Sequence, residues 1–475
     1  MKINKHSTKL YASPKAVIAL FLHLPGSDRV LHVIQRLEKL NEKEVEENLE
    51  NVLREFGDRH RNIREIFSSH FTKVKNQYGH DLINFSANKQ LLLGAFFTKE
   101  YSIQAAALFN PSIVAHPDQQ GLNPGEKRFI MSLRATGEGH ISSVIFKTGT
   151  VDGQGKISLD APTDFFERLQ KNNAALYDKK AVRQFAYSIT GLNMKMLDGL
   201  PALFTASEAI AVLKAIPDPG HSVNEFIRVV EDMLDMNYEL EDSSGLSVSE
   251  RVIFPTAKGE SMGMEDVRLV RFEDDGKVCY YGTYTAYDGK HIQTKLIETT
   301  DFANFKIRTL NGPAVQDKGM ALFPEKLNGE YVMISRQGGE NIHIMFSQDL
   351  YHWEKFQVLM EPKYNWELLQ LGNCGSPIKT EKGWLLLTHG VGAMRKYVIS
   401  AILLDLQNPG LIIGRMNQPL VVADESEREG YVPNVVYTCG FMLHEGVLII
   451  PYALSDSATG FITIPLDDLL EETVH

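Results

Sequence analysis

The sequence predicts an all-β fold: a five-bladed β-propeller with an N-terminal helical extension and a helical insertion. Two observations carry this expectation. Four similar turns recur about every 55 residues in the second half of the chain, each followed by a Gly turn and an apolar, aromatic-rich strand. Two charged blocks with helical periodicity interrupt this otherwise strand-like pattern.

In chain order, the apolar run from Ala16 to Leu24 follows Lys2, Lys5 and Lys9 and so imitates a secretory signal. It is short, contains His23 and lacks a small-x-small cleavage site before Pro25-Gly26, so it reads as a core strand. From Leu31 to Tyr78, apolar residues at Leu37, Leu40, Val45, Leu49, Val52 and Phe56 with charges between them predict one or two amphipathic helices. Residues 1–100 are therefore expected to form a strand plus helical extension packed on a propeller spanning residues 101–475. Ala107 to Val114, Arg128 to Leu133 and Ile141 to Phe146 read as strands of a first blade. A second helical block covers about 163–240, including Phe165-Phe166-Glu167-Arg168-Leu169 and Glu225 to Val230, with interruptions at Gly191, Gly199 and Pro217-Asp218-Pro219-Gly220. Ala107 to Asp266 spans about 160 residues, one repeat plus the helical block. The remaining blades follow the turns at Glu265-Asp266-Val267-Arg268, Leu322-Phe323-Pro324-Glu325-Lys326, Cys374-Gly375-Ser376-Pro377-Ile378 and Val432-Pro433-Asn434-Val435-Val436. A short N-terminal strand is available to close the ring with the last blade.

Composition excludes several classes. A formal net charge of −11 with no Lys/Arg-dense stretch argues against a nucleic-acid partner. Cys279, Cys374 and Cys439 are too few and scattered for a disulfide framework or a zinc site and read as strand-core residues; no metal site is expected. No stretch approaches the roughly 20 apolar residues of a membrane span, so a cytoplasmic protein without a membrane partner is expected. The apolar stripes of the helical additions would either mediate homo-oligomer formation or cover the side of the propeller.

Every blade delivers an inner strand to one axis, so polar residues at equivalent repeat positions should converge. Strand alternation would point Asp266 and Arg268 one way and Glu265 and Val267 the other. Asp266 beside a cation is either a proton donor in a pocket or half of a structural pair. Lys318, Arg336 and His389 occupy comparable places on successive repeats; singly each reads as a solvated or core residue, but together they suit an oxyanion such as phosphate. Asn110, Ser112 and the run from Ser132 to His140 supply hydrogen-bonding groups of the kind sugars need, unless Gly137-Glu138-Gly139 is simply a hairpin turn. Tyr284, Tyr287, Tyr437 and Tyr452 are either sugar-facing aromatics or blade core.

These residues, together with Gly383-Trp384-Leu385-Leu386, His389-Gly390 and Pro433-Asn434-Val435-Val436 in order, resemble glycoside hydrolase family 130 over roughly Ala107 to Leu470 without the insertion. The resemblance implies a five-bladed propeller acting on β-mannosides, in most members as an inverting phosphorylase and in a minority as a hydrolase. It implies Asp266 as general acid, Lys318, Arg336, His389 and Tyr397 as phosphate ligands, and Asn110, Arg134, Arg268 and Asp456 as sugar contacts; Ser112 and Asp288 complete the expected substrate-binding set. The chain departs from the common pattern at Val267 and Gln337, where proline is usual, and in its helical additions, which are absent from compact members. Its length resembles β-1,2-oligomannan phosphorylases.

Phosphate is an anionic nucleophile that needs cations rather than a base, whereas an inverting hydrolase usually needs a second carboxylate. The expectation is phosphorolysis of β-mannooligosaccharide to α-mannose 1-phosphate and a shortened acceptor, with inorganic phosphate as co-substrate and no other cofactor. The alternatives are a β-mannosidase of the same fold and a non-catalytic carbohydrate-binding propeller.

Overall fold

The computed structural model describes residues 1–79, 84–163, 165–190, 194–216 and 221–473; Gly191 and residues 217–220, where interruptions of the insertion are expected, lie outside them. Among the described residues the expected β-rich chain with helical additions is present.

Five groups of antiparallel strands follow one another along the chain. The first comprises Ala107–Ala115, Lys127–Thr136, Ser142–Val151 and Ile157–Leu159, and the second Gly263–Asp274, Lys277–Tyr287, Ile292–Thr299 and Asn304–Thr309. The third holds Ala321–Leu322, Tyr331–Ser335, Ile342–Ser347 and Phe356–Met360. The fourth is built on Trp384–Val391 and Tyr397–Leu404, and the fifth on Val447–Leu454 and Ala458–Pro465. The N-terminal strands Asn4–Lys5 and Leu10–Tyr11 pair with Ala458–Pro465, so the chain's first residues finish the edge of its last sheet.

One feature differs from a train of separate repeats. The first two groups and short strands of the insertion form a single twelve-stranded sheet, because Gly263 pairs directly with Ser142. Gly263 has φ 128°, and a Cβ there would lie 2.6 Å from the Ser142 nitrogen, so only glycine permits this approach.

Apolar strand faces pack between neighbouring groups. Ile130 and Phe146 of the first meet Val267 and Leu269 of the second. Val270 and Leu296 meet Leu322 and Met333 of the third, whose Val332 and Ile334 meet Trp384 and Leu386 of the fourth. Leu385 and Ile399 meet Ile450 and Ile462 of the fifth, whose Ile449 and Phe461 return to Leu108 and Met131 of the first. Each fully buried side chain of this size contributes about 1.5–3 kcal/mol, so these shared cores hold the groups in fixed mutual register.

Where one or two helices are expected up to Tyr78 there are three, Ser27–Glu38, Glu42–Phe56 and Ile63–Tyr78, and a further helix, Ala87–Phe96, follows beyond that range. Asn41 breaks the first from the second by a reciprocal cap with Glu44, satisfying backbone donors that would otherwise be lost at a helix start. The run from Ala16 contributes Val17–Phe21, paired with Thr98–Ser102 as a strand.

In the insertion, Lys179–Thr190, Ala206–Lys214 and His221–Met236 are helices, and the last contains the expected Glu225 to Val230. The helix expected at Phe165 to Leu169 is instead extended: Glu167–Arg168 runs parallel to Arg251–Ile253. Phe166 packs on one core and Leu169 on another, an opposition of faces that an extended segment provides and a helix of this length does not. The block also ends in a strand, Tyr238–Glu241, on the edge of the second group at Asn304–Thr309.

Candidate active site

The site gathers where the first strands of the first two groups and two turns of the fifth leave regular geometry. Asn110, Asp266, Asn434 and Asp456 all have left-handed backbone, with φ of 48°, 58°, 63° and 52°. Asn and Asp accept this conformation best among residues with a Cβ, and such strain collects at functional sites. At Asp266 it coincides with a β-bulge, the pairing of Gly263–Asp274 with Lys277–Tyr287 slipping between Glu265 and Arg268. A second bulge lies between Phe109 and Ser112.

The bulge overturns the alternation expected at Glu265 and Asp266. Both carboxylates reach the same guanidinium: Arg134 Nη2 donates to Glu265 Oε1 at 2.7 Å and Nη1 to Asp266 Oδ1 at 3.3 Å. Asn110 Nδ2 donates to Asp266 Oδ1 at 2.6 Å. Lys318 Nζ stands 3.7 Å from Glu265 Oε2. Burial pushes the Asp266 carboxyl up, but Arg134, Arg268, Lys318 and the Asn110 bond outweigh it and hold it at about 2. Glu265 was not among the residues that the sequence singles out. Its signal lies in the Asp that follows it, because one left-handed residue reverses the facing of its neighbour.

Arg268 is buried and occupied on every side. Its Nη1 donates to the Asp266 carbonyl at 3.0 Å, Nη2 to the Tyr437 hydroxyl at 2.5 Å and Nε to Asn373 Oδ1 at 3.2 Å. This guanidinium ties the second, fourth and fifth groups together and clamps the backbone of Asp266, where the sequence suggests a sugar contact. Tyr437 and Asn373 are thus part of the site's frame.

Arg336 Nη1 lies 3.2 Å from His389 Nε2. A guanidinium only donates, so Nε2 accepts and the imidazole proton sits on Nδ1, 3.3 Å from the Asn373 carbonyl. Burial, then Arg336 and Arg268, hold His389 well below the usual histidine range, so it is neutral and aims Arg336. A Cβ at Gly372 would lie 2.3 Å from His389 Cε1, so glycine makes room for the ring. Tyr397 stacks on His389 with centroids 5.7 Å apart and planes at 19°. Among the described residues Arg336 Nε is buried without a hydrogen-bond partner, a donor suited to an oxyanion.

Asp456 feels the same charges. Burial and then Asp266 push its carboxyl up, against Arg134 and Arg395, to about 7. The structure thus brings together Asn110, Arg134, Asp266, Arg268, Lys318, Arg336, His389, Tyr397 and Asp456.

Two expected residues stand apart. Ser112 is fully buried and accepts from the Leu269 backbone at 2.9 Å, tying the first two groups together. The Asp288 carboxylate accepts from the backbone nitrogens of Lys290 at 2.7 Å and His291 at 2.6 Å within its own turn. Of the tyrosines, Tyr284 and Tyr452 are core residues that donate to Glu260 and Glu427. Cys374 and Cys439 are buried and Cys279 is half-buried, all three as free thiols.

A cage of guanidinium and ammonium groups around an ionised carboxylate, rimmed by amide and phenol groups, has the chemistry of a site for an oxyanion beside a polyhydroxylated ligand. The family model of glycoside hydrolase family 130, described as β-1,4-mannooligosaccharide phosphorylase, matches residues 223–474, just over half of the chain. The chain belongs to this family. It is 34% identical over 214 residues to a 1,2-β-oligomannan phosphorylase of Thermoanaerobacter sp., covering 44% of this chain and 71% of that protein. A β-1,2-mannobiose phosphorylase of the same organism is 32% identical over 260 residues, or 51% of this chain and 83% of the relative. Among solved structures, β-1,2-mannobiose phosphorylase from Listeria innocua in complex with β-1,2-mannobiose aligns with a TM-score of 0.46 at 18% identity, over 77% of this chain and 92% of that one.

Proposed function

We propose that the protein is an inverting β-mannoside phosphorylase that converts β-1,2-mannooligosaccharide and phosphate to α-mannose 1-phosphate and a shortened oligosaccharide. In this reading the five strand groups are blades of a propeller, a view supported by shared cores that run from each group to the next and from the fifth to the first. Asp266 is the general acid, and Lys318, Arg336 and His389 form the phosphate side, with Tyr397 stacked behind His389.

The observation that carries the reaction type is the placement of the carboxylates. An inverting hydrolase needs an acid and a base on opposite faces of the sugar, about 6.5–9.5 Å apart with water between. Glu265 and Asp266 share one guanidinium and so lie on one side. Arg336, aimed by His389, and Lys318 are donors, which suits a phosphate oxygen attacking the anomeric carbon while Asp266 protonates the leaving oxygen, directly or through a mannose hydroxyl. An acid held at about 2 in the free protein must be raised to work. Bound phosphate does this, because its negative charge offsets Lys318 and Arg268, two of the cations that depress Asp266.

The β-1,2 linkage rests on the two Thermoanaerobacter relatives; the family model's own description names β-1,4. A cytoplasmic location belongs to the same reading, because the cell interior supplies phosphate and retains a charged sugar phosphate.

Incubation with β-1,2- and β-1,4-mannooligosaccharides, with and without phosphate, tests the reading. Mannose 1-phosphate should form only with phosphate and faster from the β-1,2 series. Free mannose released in phosphate-free buffer would identify a hydrolase instead. Asp266→Asn should lower kcat by about 10²–10⁴-fold while phosphate binding measured by calorimetry persists.

A further inference from the structure

We infer that Glu265 is a positioning carboxylate that sets how tightly this site holds phosphate, by occupying Lys318 and Arg134 in the ligand-free protein; this rests on the phosphorylase reading above. Its two oxygens serve one cation on a strand of the first group and one on the loop that leads into the third: Oε1 accepts from Arg134 at 2.7 Å, and Oε2 lies 3.7 Å from Lys318 Nζ. The Glu265 side chain is 18% exposed, whereas that of Lys318 is 43% exposed, on a loop that passes through left-handed Asp317 and Gly319. Among the described residues Lys318 has no other ion-pair partner, so Glu265 orients a long side chain that its own loop leaves free.

The same carboxylate opposes phosphate. A dianion reaching for Lys318 meets the negative charge of Glu265 and must draw the ammonium away from it. Arg134 is divided as well, since it serves Glu265 and Asp266 together. Glu265 therefore keeps the cationic cage from being spent wholly on Asp266, whose carboxyl those cations depress. Phosphate affinity is given up, and a site that can release phosphate and keep its acid usable is the result.

Glu265→Gln keeps the shape and an acceptor for Arg134 but removes the charge. In the full chain its KM for phosphate should fall about fivefold, as expected for removing one repulsive charge at a partly exposed pair. KM for mannooligosaccharide should stay within about twofold, and the limb of the pH profile that reports the acid should move to lower pH. In a Lys318→Met background the Gln substitution should lose most of its effect on phosphate KM, because the shared partner is gone. Glu265→Asp, which withdraws the charge from Lys318 without removing it, should lower phosphate KM by less. A phosphate KM that rises or stays unchanged in Glu265→Gln, or in Glu265→Asp should the first variant not fold, overturns the assignment. A wild-type protein that forms no mannose 1-phosphate sinks the phosphorylase reading itself, a separate outcome.

Discussion

At the scale of single residues, two aspartates are driven in opposite directions by one set of charges. Burial raises both, but Asp266 lies against Arg134 and Asn110 and is held at about 2, while Asp456 feels the Asp266 charge and is pushed up to about 7. In the phosphorylase proposed above, Asp266 would stay ionised until phosphate binds, while Asp456 would be a half-protonated group able to donate to a sugar hydroxyl. A donor of this kind is lost as pH rises through its pKa. Wild-type kcat/KM for mannooligosaccharide should therefore decline above about pH 7. Asp456→Asn, which donates at every pH, should flatten that limb in a pH series of initial rates. His389 illustrates the same dependence on surroundings: burial, then Arg336 and Arg268, keep it neutral and the guanidinium at its Nε2 makes it an acceptor, so in the proposed reaction it would act on phosphate through Arg336.

Elements carry strain and charge that single residues cannot. The bulge in Gly263–Asp274 turns two adjacent carboxylates onto one arginine, and Arg268 holds it open by bonding the Asp266 carbonyl. Elsewhere on the second strand group, Lys295 of Ile292–Thr299 is 1% exposed and its Nζ lies 2.6 Å from Glu260 Oε1. Tyr238 and Tyr284 donate to the same carboxylate at 2.8 and 2.6 Å. Tyr238 belongs to the strand that ends the insertion, so this buried network pins the insertion to the sheet. Lys295→Met leaves Glu260 buried and unpaired and should cost about 3–5 kcal/mol in urea denaturation, whereas combining it with Glu260→Gln should recover much of the loss.

Across the whole molecule, the helical extension meets the insertion near His70. Its Nδ1 pairs with Thr98, and burial, then Lys73 and Arg168, depress its pKa from 6.5 to about 4. The folded chain thus resists a proton that the unfolded chain accepts. The contribution of His70 to stability is full above about pH 6.5 and falls as pH drops toward 4, with His389 adding in the same direction and the raised carboxyl of Asp456 opposing them. Denaturation midpoints of wild type and His70→Gln, which stays neutral, should therefore differ in their pH response: between pH 7.5 and pH 5 the variant should lose less, or gain more, stability than the wild type, with the opposing contribution of Asp456 present in both.

The sequence by itself determined the local alternation of strands, turns and helices. Continuous apolar runs such as Trp384 to Leu387 and Val447 to Ile450, the repeat spacing and the charged helical stripes each arise from neighbours along the chain. It also pointed to Asp266, Arg336 and His389, because equivalent places in a repeat are readable without coordinates. Tertiary structure alone decided what these side chains face. Alternation holds only where backbone is regular, and the left-handed turn at Asp266 brought Glu265 to Arg134 and Lys318. The full engagement of Arg268 and the proton position on His389 depend on Tyr437, Asn373 and Arg336, residues 53 to 169 positions away in sequence. Phe165 to Leu169 became extended for the same reason: two separate cores claim its opposite faces, and that demand is written in no local pattern.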